Sequence, residues 1–221
     1  MFKKVLSYFY PINLFKTTSE LSKTLEVTLV NGELVLDSKN TNYSYGSLQR
    51  VLRKGLKFIG FETIKPMQHI LVLGVAGGSV IKTLVDEIGY RGKITGIELD
   101  EKIIEVANTY FDLNQIENFN IIQHDAFEFV LKTKLTYDLI IVDIFQDTLM
   151  PSFLFETFFQ NRLTEILNPK GFILFNTMLL KEIDTVRNQN YLQFYDPSIF
   201  KVATLPRVEE HNELIVVQKL N

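Results

Sequence analysis

From residue 69 onward, short apolar runs alternate with segments whose apolar residues recur at helical spacing. The runs at 70–74, 93–98, 119–123, 138–143 and 171–176 read as buried strands. The segments at 79–88, 101–110, 126–133 and 152–167 read as the helices between them. Alternation of this kind predicts a parallel sheet covered by helices on both faces. The tail breaks the rhythm. Residues 200–204 and 213–218 are separated by a short polar turn and no helix, which predicts an antiparallel hairpin at a sheet edge. The first forty-five residues also differ. Alternating stretches at 25–30 and 33–36 flank Asn31-Gly32, the strongest short-range hairpin signal. Leu48, Val51, Leu52, Leu56 and Ile59 then follow at helical spacing, with Gly60 as the stop.

The count of strands gives the expected fold: α/β, with a Rossmann-like seven-stranded, mostly parallel sheet, a C-terminal antiparallel hairpin and a small N-terminal β-hairpin unit. The expected division is 1–46 for the β unit and 47–221 for the main domain. A chain of 221 residues suffices for one such domain and a small appendage. The N-terminal stretch places Lys3 and Lys4 before apolar residues but is cut short by Pro11, so it reads as a strand or docking segment and not as a leader. Net charge is -3, without the basic excess of a nucleic-acid binder. No cysteine is present, and His69, His124 and His211 lie too far apart for metal-ligand spacing. No apolar run is long enough to span a bilayer. The expectation is a cytoplasmic protein with no nucleic-acid, membrane or metal partner.

Ligands of open parallel sheets sit beyond the carboxyl ends of the strands. The first strand ends in Gly74-Val75-Ala76-Gly77-Gly78, a turn whose backbone can approach a ligand closely. The second ends in Glu98-Leu99-Asp100, the third in His124-Asp125 and the fourth in Asp143. Asp100 reads as a helix N-cap ahead of Ile103 and Ile104. Asp125 has the same reading, with Glu128 at capping-box spacing. Glu98 has no such structural use in the sequence, and a carboxylate there is costly unless it binds something. A ribose diol fits, because one carboxylate accepts from both hydroxyls. Asp143 likewise terminates a uniformly apolar run. Together these features point to a nucleoside-type ligand.

The glycine turn, the Glu98 strand with Glu101-Lys102-Ile103-Ile104-Glu105-Val106-Ala107 behind it, the pair Asp125-Ala126 and the strand Tyr137-Asp138-Leu139-Ile140-Ile141-Val142-Asp143 match one family in order and spacing. So does Leu167-Asn168-Pro169-Lys170-Gly171, with one glycine where the family has two. The chain resembles the class I S-adenosylmethionine-dependent transferases, in their spermidine-synthase-like branch. The resemblance implies that Gly74, Ala76 and Gly78 line the methionine part of the cofactor and that Glu98 holds the ribose. It implies that Asp125 and the Ala126 N–H meet the adenine, and that Asp143 faces the sulfonium, there to orient or deprotonate an attacking amine. The implied cofactor is S-adenosyl-L-methionine, or its decarboxylated form in an aminopropyltransferase.

The chain departs from the family's pattern in ways that bear on activity. Aminopropyltransferases carry an aspartate at the position of Gly77, suited to a donor without a carboxylate. Its absence points to intact S-adenosylmethionine and methyl transfer. The acidic residues that bind the amine are missing from Asn42-Tyr43-Ser44-Tyr45-Gly46-Ser47-Leu48-Gln49-Arg50, and Arg50 stands where the family has glutamate, so a polyamine is expected to meet repulsion. Asp143 and Asp147 are four apart, not three, and lack the following proline. Tyr43, Tyr45 and Gln49 are candidate acceptor contacts, with packing of the hairpin as their other reading. Phe155 to Phe159 read as a core helix face, with the wall of an apolar acceptor pocket, together with Phe145 and Phe153, as the other reading. The expected function is methyl transfer to a small-molecule acceptor by a monomer or homodimer. An aminopropyltransferase and a non-catalytic cofactor-binding homologue are the alternatives. A nicotinamide enzyme fits less well, because the third glycine of its turn is replaced by Val80 or Ile81.

Overall fold

The computed structural model describes residues 2–19, 21, 24–38, 42–44, 46–145 and 149–221. A short helix α1 (Phe2–Leu6) precedes four strands, β1 (Ile12–Thr17), β2 (Leu25–Val30), β3 (Glu33–Ser38) and β4 (Asn42–Ser44), which pair antiparallel in that order. The N-terminal unit is therefore a four-stranded sheet, wider than the expected hairpin. Asn31 and Gly32 both take positive φ, 51° and 79°, as the tight β2–β3 turn requires. The segment after α1 docks on that turn: Asn31 N–H donates to the Ser7 carbonyl and Gly32 N–H to Ser7 Oγ, each at 2.9 Å. The N-terminal stretch, expected as a strand or docking segment, is thus helical over Phe2–Leu6 and docked, which corrects the strand alternative.

Helices α2 (Gly46–Ile59) and α3 (Phe61–Ile64) lead into the main sheet. Its strands are β5 (His69–Leu73), β6 (Lys93–Glu98), β7 (Phe119–Gln123), β8 (Tyr137–Val142), β9 (Leu167–Met178), β10 (Phe200–Val208) and β11 (Asn212–Lys219). The order is β10-β11-β9-β8-β5-β6-β7, with β11 antiparallel to both β9 and β10 and the rest parallel. The connecting helices are α4 (Ser79–Lys82, continuing as a π-helical turn over Thr83–Glu87), α5 (Glu101–Tyr110), α6 (Ala126–Lys132), α7 (Thr157–Glu165) and α8 (Glu182–Gln193). This is the expected Rossmann-like α/β fold with its C-terminal hairpin.

The middle strands β5 and β8 are buried along nearly their whole length, which explains their unbroken apolar sequences. One face of the sheet packs on α2, α3 and α4 through Val51, Leu56, Ile64, Ile81 and Leu84. The other packs on α6, α7 and α8 through Val130, Phe159, Leu163 and Tyr191. The N-terminal sheet lays Leu25, Val27 and Leu36 against Val75, Ile103, Val106 and Phe111, sharing a core with the glycine turn and α5.

Two expectations need revision. The helix expected at 152–167 is split. A 3-10 turn (Ser152–Phe155) and α7 are separated by Glu156, whose extended backbone (ψ 137°) breaks the ladder. The break lets Phe155 meet Phe175 and Tyr191 while Phe159 meets Phe153. Phe158, read as part of the same core face, is 48 % exposed. Helix α8 was not legible, because only Asn188 and Tyr191 on it are buried and its sequence is otherwise polar. Polar bonds anchor it instead: Asn188 Nδ2 donates to Thr177 Oγ1 (2.8 Å) and to the Glu213 carboxylate (2.7 Å).

Because the N-terminal sheet shares its core with α5, Leu36→Ala should destabilise the whole molecule. Removing this fully buried side chain should cost about 2–5 kcal/mol. Urea denaturation should show one transition at lower midpoint. An early, separate transition confined to the N-terminal sheet would contradict the shared core.

Candidate active site

The chain runs outward from β5 to β6 and β7, then returns to β8 and β9 on the other side of β5. The strand order thus reverses at the carboxyl ends of β5 and β8, where such sheets ordinarily have a ligand crevice. The Gly74–Gly78 turn leaves β5 there and Asp143 leaves β8. Neighbouring strands lie about 4.8 Å apart, so Asp143, Gly74, Glu98 and Asp125 form a row of roughly 15 Å along one edge.

Gly74 has φ +85°, and a Cβ on it would sit 2.2 Å from the Asp143 carbonyl oxygen. Gly78 has φ +78°, and its Cβ would run into Leu113. These glycines are thus needed by the turn itself and by the closeness of its protein neighbours, whether or not a ligand also approaches. Ala76 holds φ +47° within the same turn.

Glu98 holds the turn in place. Its Oε2 accepts from the N–H groups of Val75 and Ala76, both at 3.1 Å. Its Oε1 accepts from Leu99 at 2.9 Å and from Asp100 at 3.1 Å. The structural use that the sequence does not reveal is therefore substantial: four backbone donors fill the carboxylate's acceptor sites. Burial raises the Glu98 pKa, and these four bonds oppose the rise. A ribose diol would have to exchange with the loop amides on Oε2 or share that oxygen with them.

Asp100 caps α5 as expected, accepting from Lys102 N–H at 2.9 Å, and also accepts from Ser19 Oγ. Asp125 caps α6 by accepting from Glu128 N–H at 3.0 Å, while the Glu128 carboxylate pairs forward with Lys132 at 2.6 Å. Only one half of the expected capping box is therefore made. Ala126 is the first residue of α6, where a backbone N–H has no partner within the helix. Before them, the His124 ring stands edge-on to Phe129.

Asp143 Oδ1 accepts from Asn176 Nδ2 at 2.8 Å. Burial pushes its carboxyl up to about 6, helped by the negative charge of Glu98 and opposed by the Asn176 bond. Sequence reasoning missed Asn176. The signal was present, since a polar residue follows the apolar run Phe172-Ile173-Leu174-Phe175. Parallel pairing of Val142 with Phe175 then puts Asn176 level with Asp143.

Of the acceptor-side candidates, Tyr43 lies on β4 and Gln49 is part-buried in the first turn of α2. The Tyr43 side chain, Tyr45 and Asp147 lie outside the described residues. Arg50 is tied to Glu209 of the β10–β11 turn at 2.6 Å. Its charge is paired at the surface, which corrects the expectation that it stands free to repel a polyamine. Among the described residues, no cluster of three or more histidine or acidic side chains has the makings of a metal site.

The fold defines a class I methyltransferase-like protein with a spermidine-synthase-like arrangement of strands. The chain belongs to the spermine/spermidine synthase domain family, which it matches over residues 52–209. It is 25 % identical over 196 residues to an eEF1A lysine and N-terminal methyltransferase homolog of Drosophila melanogaster, covering 81 % of this chain and 28 % of that protein. It is 32 % identical over 171 residues to a polyamine aminopropyltransferase of Saccharolobus solfataricus, covering 72 % of this chain and 54 % of that one. The chain thus spans about a quarter to a half of these relatives. A spermidine synthase solved in complex with the transition-state analogue AdoDATO superposes with a TM-score of 0.71 at 15 % identity, over 94 % of this chain and 73 % of that one.

The raised Asp143 carboxyl gives a stability prediction. Its ordinary value is 3.8 and its folded value about 6, so between these the folded state keeps a proton that the unfolded chain has lost. Stability therefore falls as pH rises through that window, and the cost persists above it, roughly 2–3 kcal/mol at 1.36 kcal/mol per pH unit. Asp143→Asn keeps an acceptor for Asn176 and removes the charge. The variant should be the more stable form at pH 8 by about that amount, with the gap closing near pH 4. Urea denaturation at the two pH values measures it; an equal gap at both would refute the charge argument.

Proposed function

We propose that this chain is an S-adenosylmethionine-dependent methyltransferase acting on a small-molecule acceptor, with Asp143 as its catalytic base. The observation that carries the reading is the row of Asp143, Glu98 and Asp125 beside a glycine turn that has Gly77 in place of an acid. The turn puts no carboxylate of its own beside the donor's amino-acid carboxylate, so intact S-adenosylmethionine meets no repulsion from it.

When bound, the cofactor supplies a methyl group activated on a sulfonium. The residues of the chain do the rest. Gly74, Ala76 and Gly78 border the amino-acid portion. Glu98 exchanges part of its hold on the loop amides for the ribose hydroxyls. Asp125 accepts from the adenine amino group and the Ala126 N–H donates to the ring. Asp143 takes the proton from the attacking amine. A carboxyl near 6 is ionised at neutral pH, yet basic enough to receive a proton. Holding donor and acceptor in line supplies much of the remaining rate. Tyr43, Tyr45 and Gln49 are placed by their sequence position to contribute to the acceptor side, and a homodimer is compatible with this reading.

A second reading, aminopropyl transfer, is favoured by one specific observation: the Arg50–Glu209 pair, which removes part of the objection to a cationic acceptor.

Calorimetric titration separates the two. S-adenosylmethionine should bind about tenfold or more tightly than its decarboxylated analogue, the equivalent of 1.4 kcal/mol. The reverse order would establish the aminopropyl reading. No heat with either ligand at millimolar concentration, on folded protein, would refute both. Asp143→Asn should retain cofactor affinity within a few-fold and lose transfer by about 10²-fold or more, measured on any acceptor found by screening amines.

A further inference from the structure

The three strands β8, β9 and β11 each bring one polar residue to the same spot. Asp143 follows β8, Asn176 lies within β9 and Asn212 opens β11. Asn176 is fully buried. Its Nδ2 donates to Asp143 Oδ1 at 2.8 Å, and its Oδ1 accepts from Asn212 Nδ2 at 2.9 Å. The direct partner of Asn176 across β11 is Leu214, so Asn212 reaches it diagonally from two residues away on the same face.

An asparagine amide has two nearly isosteric orientations, and its surroundings choose between them. Asn176 with its oxygen toward Asp143 would set carbonyl against carboxylate. It would also set its own NH2 against the NH2 of Asn212. The carboxylate rejects that state outright, and Asn212 adds to the rejection in the orientation in which its Nδ2 donates. Among the described residues nothing else donates to the Asp143 carboxylate, and Oδ1 is the oxygen that Asn176 holds.

We propose that Asn176 and Asn212 are positioning residues. Asn212 fixes the amide of Asn176, and Asn176 holds the Asp143 carboxylate through Oδ1 for the proton it takes from the acceptor. The proposal rests on the reading of Asp143 as the base. It gives the C-terminal hairpin a task at the crevice, although no residue of that hairpin lies in the row of acids. The charged group that acts on Asp143 is Glu98 from β6, which opposes ionisation, whereas the Asn176 bond favours it. Glu213, next to Asn212, is turned to Asn188 of α8 on the opposite face.

The test needs no acceptor. The aspartate carboxyl carbons are labelled with ¹³C, the Asp143 resonance is assigned by its loss in Asp143→Asn, and its midpoint is followed by NMR. The parent should titrate near 6. Asn176→Ala should move the midpoint upward by about one pH unit, since a donor to the charged form is lost. Asn212→Ala should move it in the same direction by less. Asn212 is only part-buried, so this variant carries the test if Asn176→Ala does not fold. An unmoved Asp143 midpoint in folded Asn212→Ala would overturn the pairing, because a purely structural asparagine leaves that titration alone. Calorimetry with S-adenosylmethionine on the same parent sample keeps the two ideas apart. Shifted midpoints without cofactor binding would retain the positioning pair and remove the transferase reading. Binding with unmoved midpoints would do the opposite.

Discussion

The crevice depends on the clamp that Glu98 makes on the glycine turn. Four backbone N–H groups, two from the turn and two from the start of the β6–α5 loop, converge on one carboxylate. Bonds to an ionised acceptor are stronger than neutral ones, which is how a part-buried acid is tolerated there. The clamp joins the end of β5 to the end of β6. On its other side the turn touches β8 so closely that no side chain fits at Gly74. Three strand ends are thereby fixed to one another before any ligand is considered.

That rigidity has an electrostatic consequence. Asp143 and Glu98 share one mouth, and burial together with their mutual repulsion lifts the Asp143 carboxyl to about 6. A fold chosen for stability alone would place a neutral residue at that point. Such local cost is common where a protein performs chemistry. The Asn176–Asn212 chain moderates it by offering the carboxylate one directed donor.

The elements outside the parallel core support this edge from two sides. The N-terminal sheet packs Leu25, Val27 and Leu36 against Val75 of the turn and Val106 of α5, so the turn has hydrophobic backing as well as its clamp. Helix α8 and the C-terminal hairpin secure the β9 side through buried polar contacts, with Arg187 lying over the Phe155 ring at 4.2 Å and donating to the Met178 carbonyl at 2.9 Å. Both appendages thus bear on the crevice through β5 or β9.

Periodicity was enough to locate the parallel strands, the hairpin at Asn31-Gly32 and the antiparallel tail, because burial on two faces or one leaves a direct mark on apolar spacing. The caps at Asp100 and Asp125 were legible for the same local reason: each bonds to a backbone group two or three residues away. Helix α8 was not legible, because it is held by polar bonds of Asn188 and Arg187 to the end of β9 and to β11 and has little apolar stripe to show. The row of acids could be listed from the strand ends, but not what each acid touches. Glu98 read as a ligand-binding carboxylate with no structural use until the turn folded over it, and Arg50 as a cation facing the acceptor until Glu209, 159 residues later, came beside it. Asn176 gained meaning only when the β8–β9 register set it level with Asp143. Local spacing records which way a side chain faces; the partner it meets there is decided by strand order and register, and those exist only in the assembled sheet.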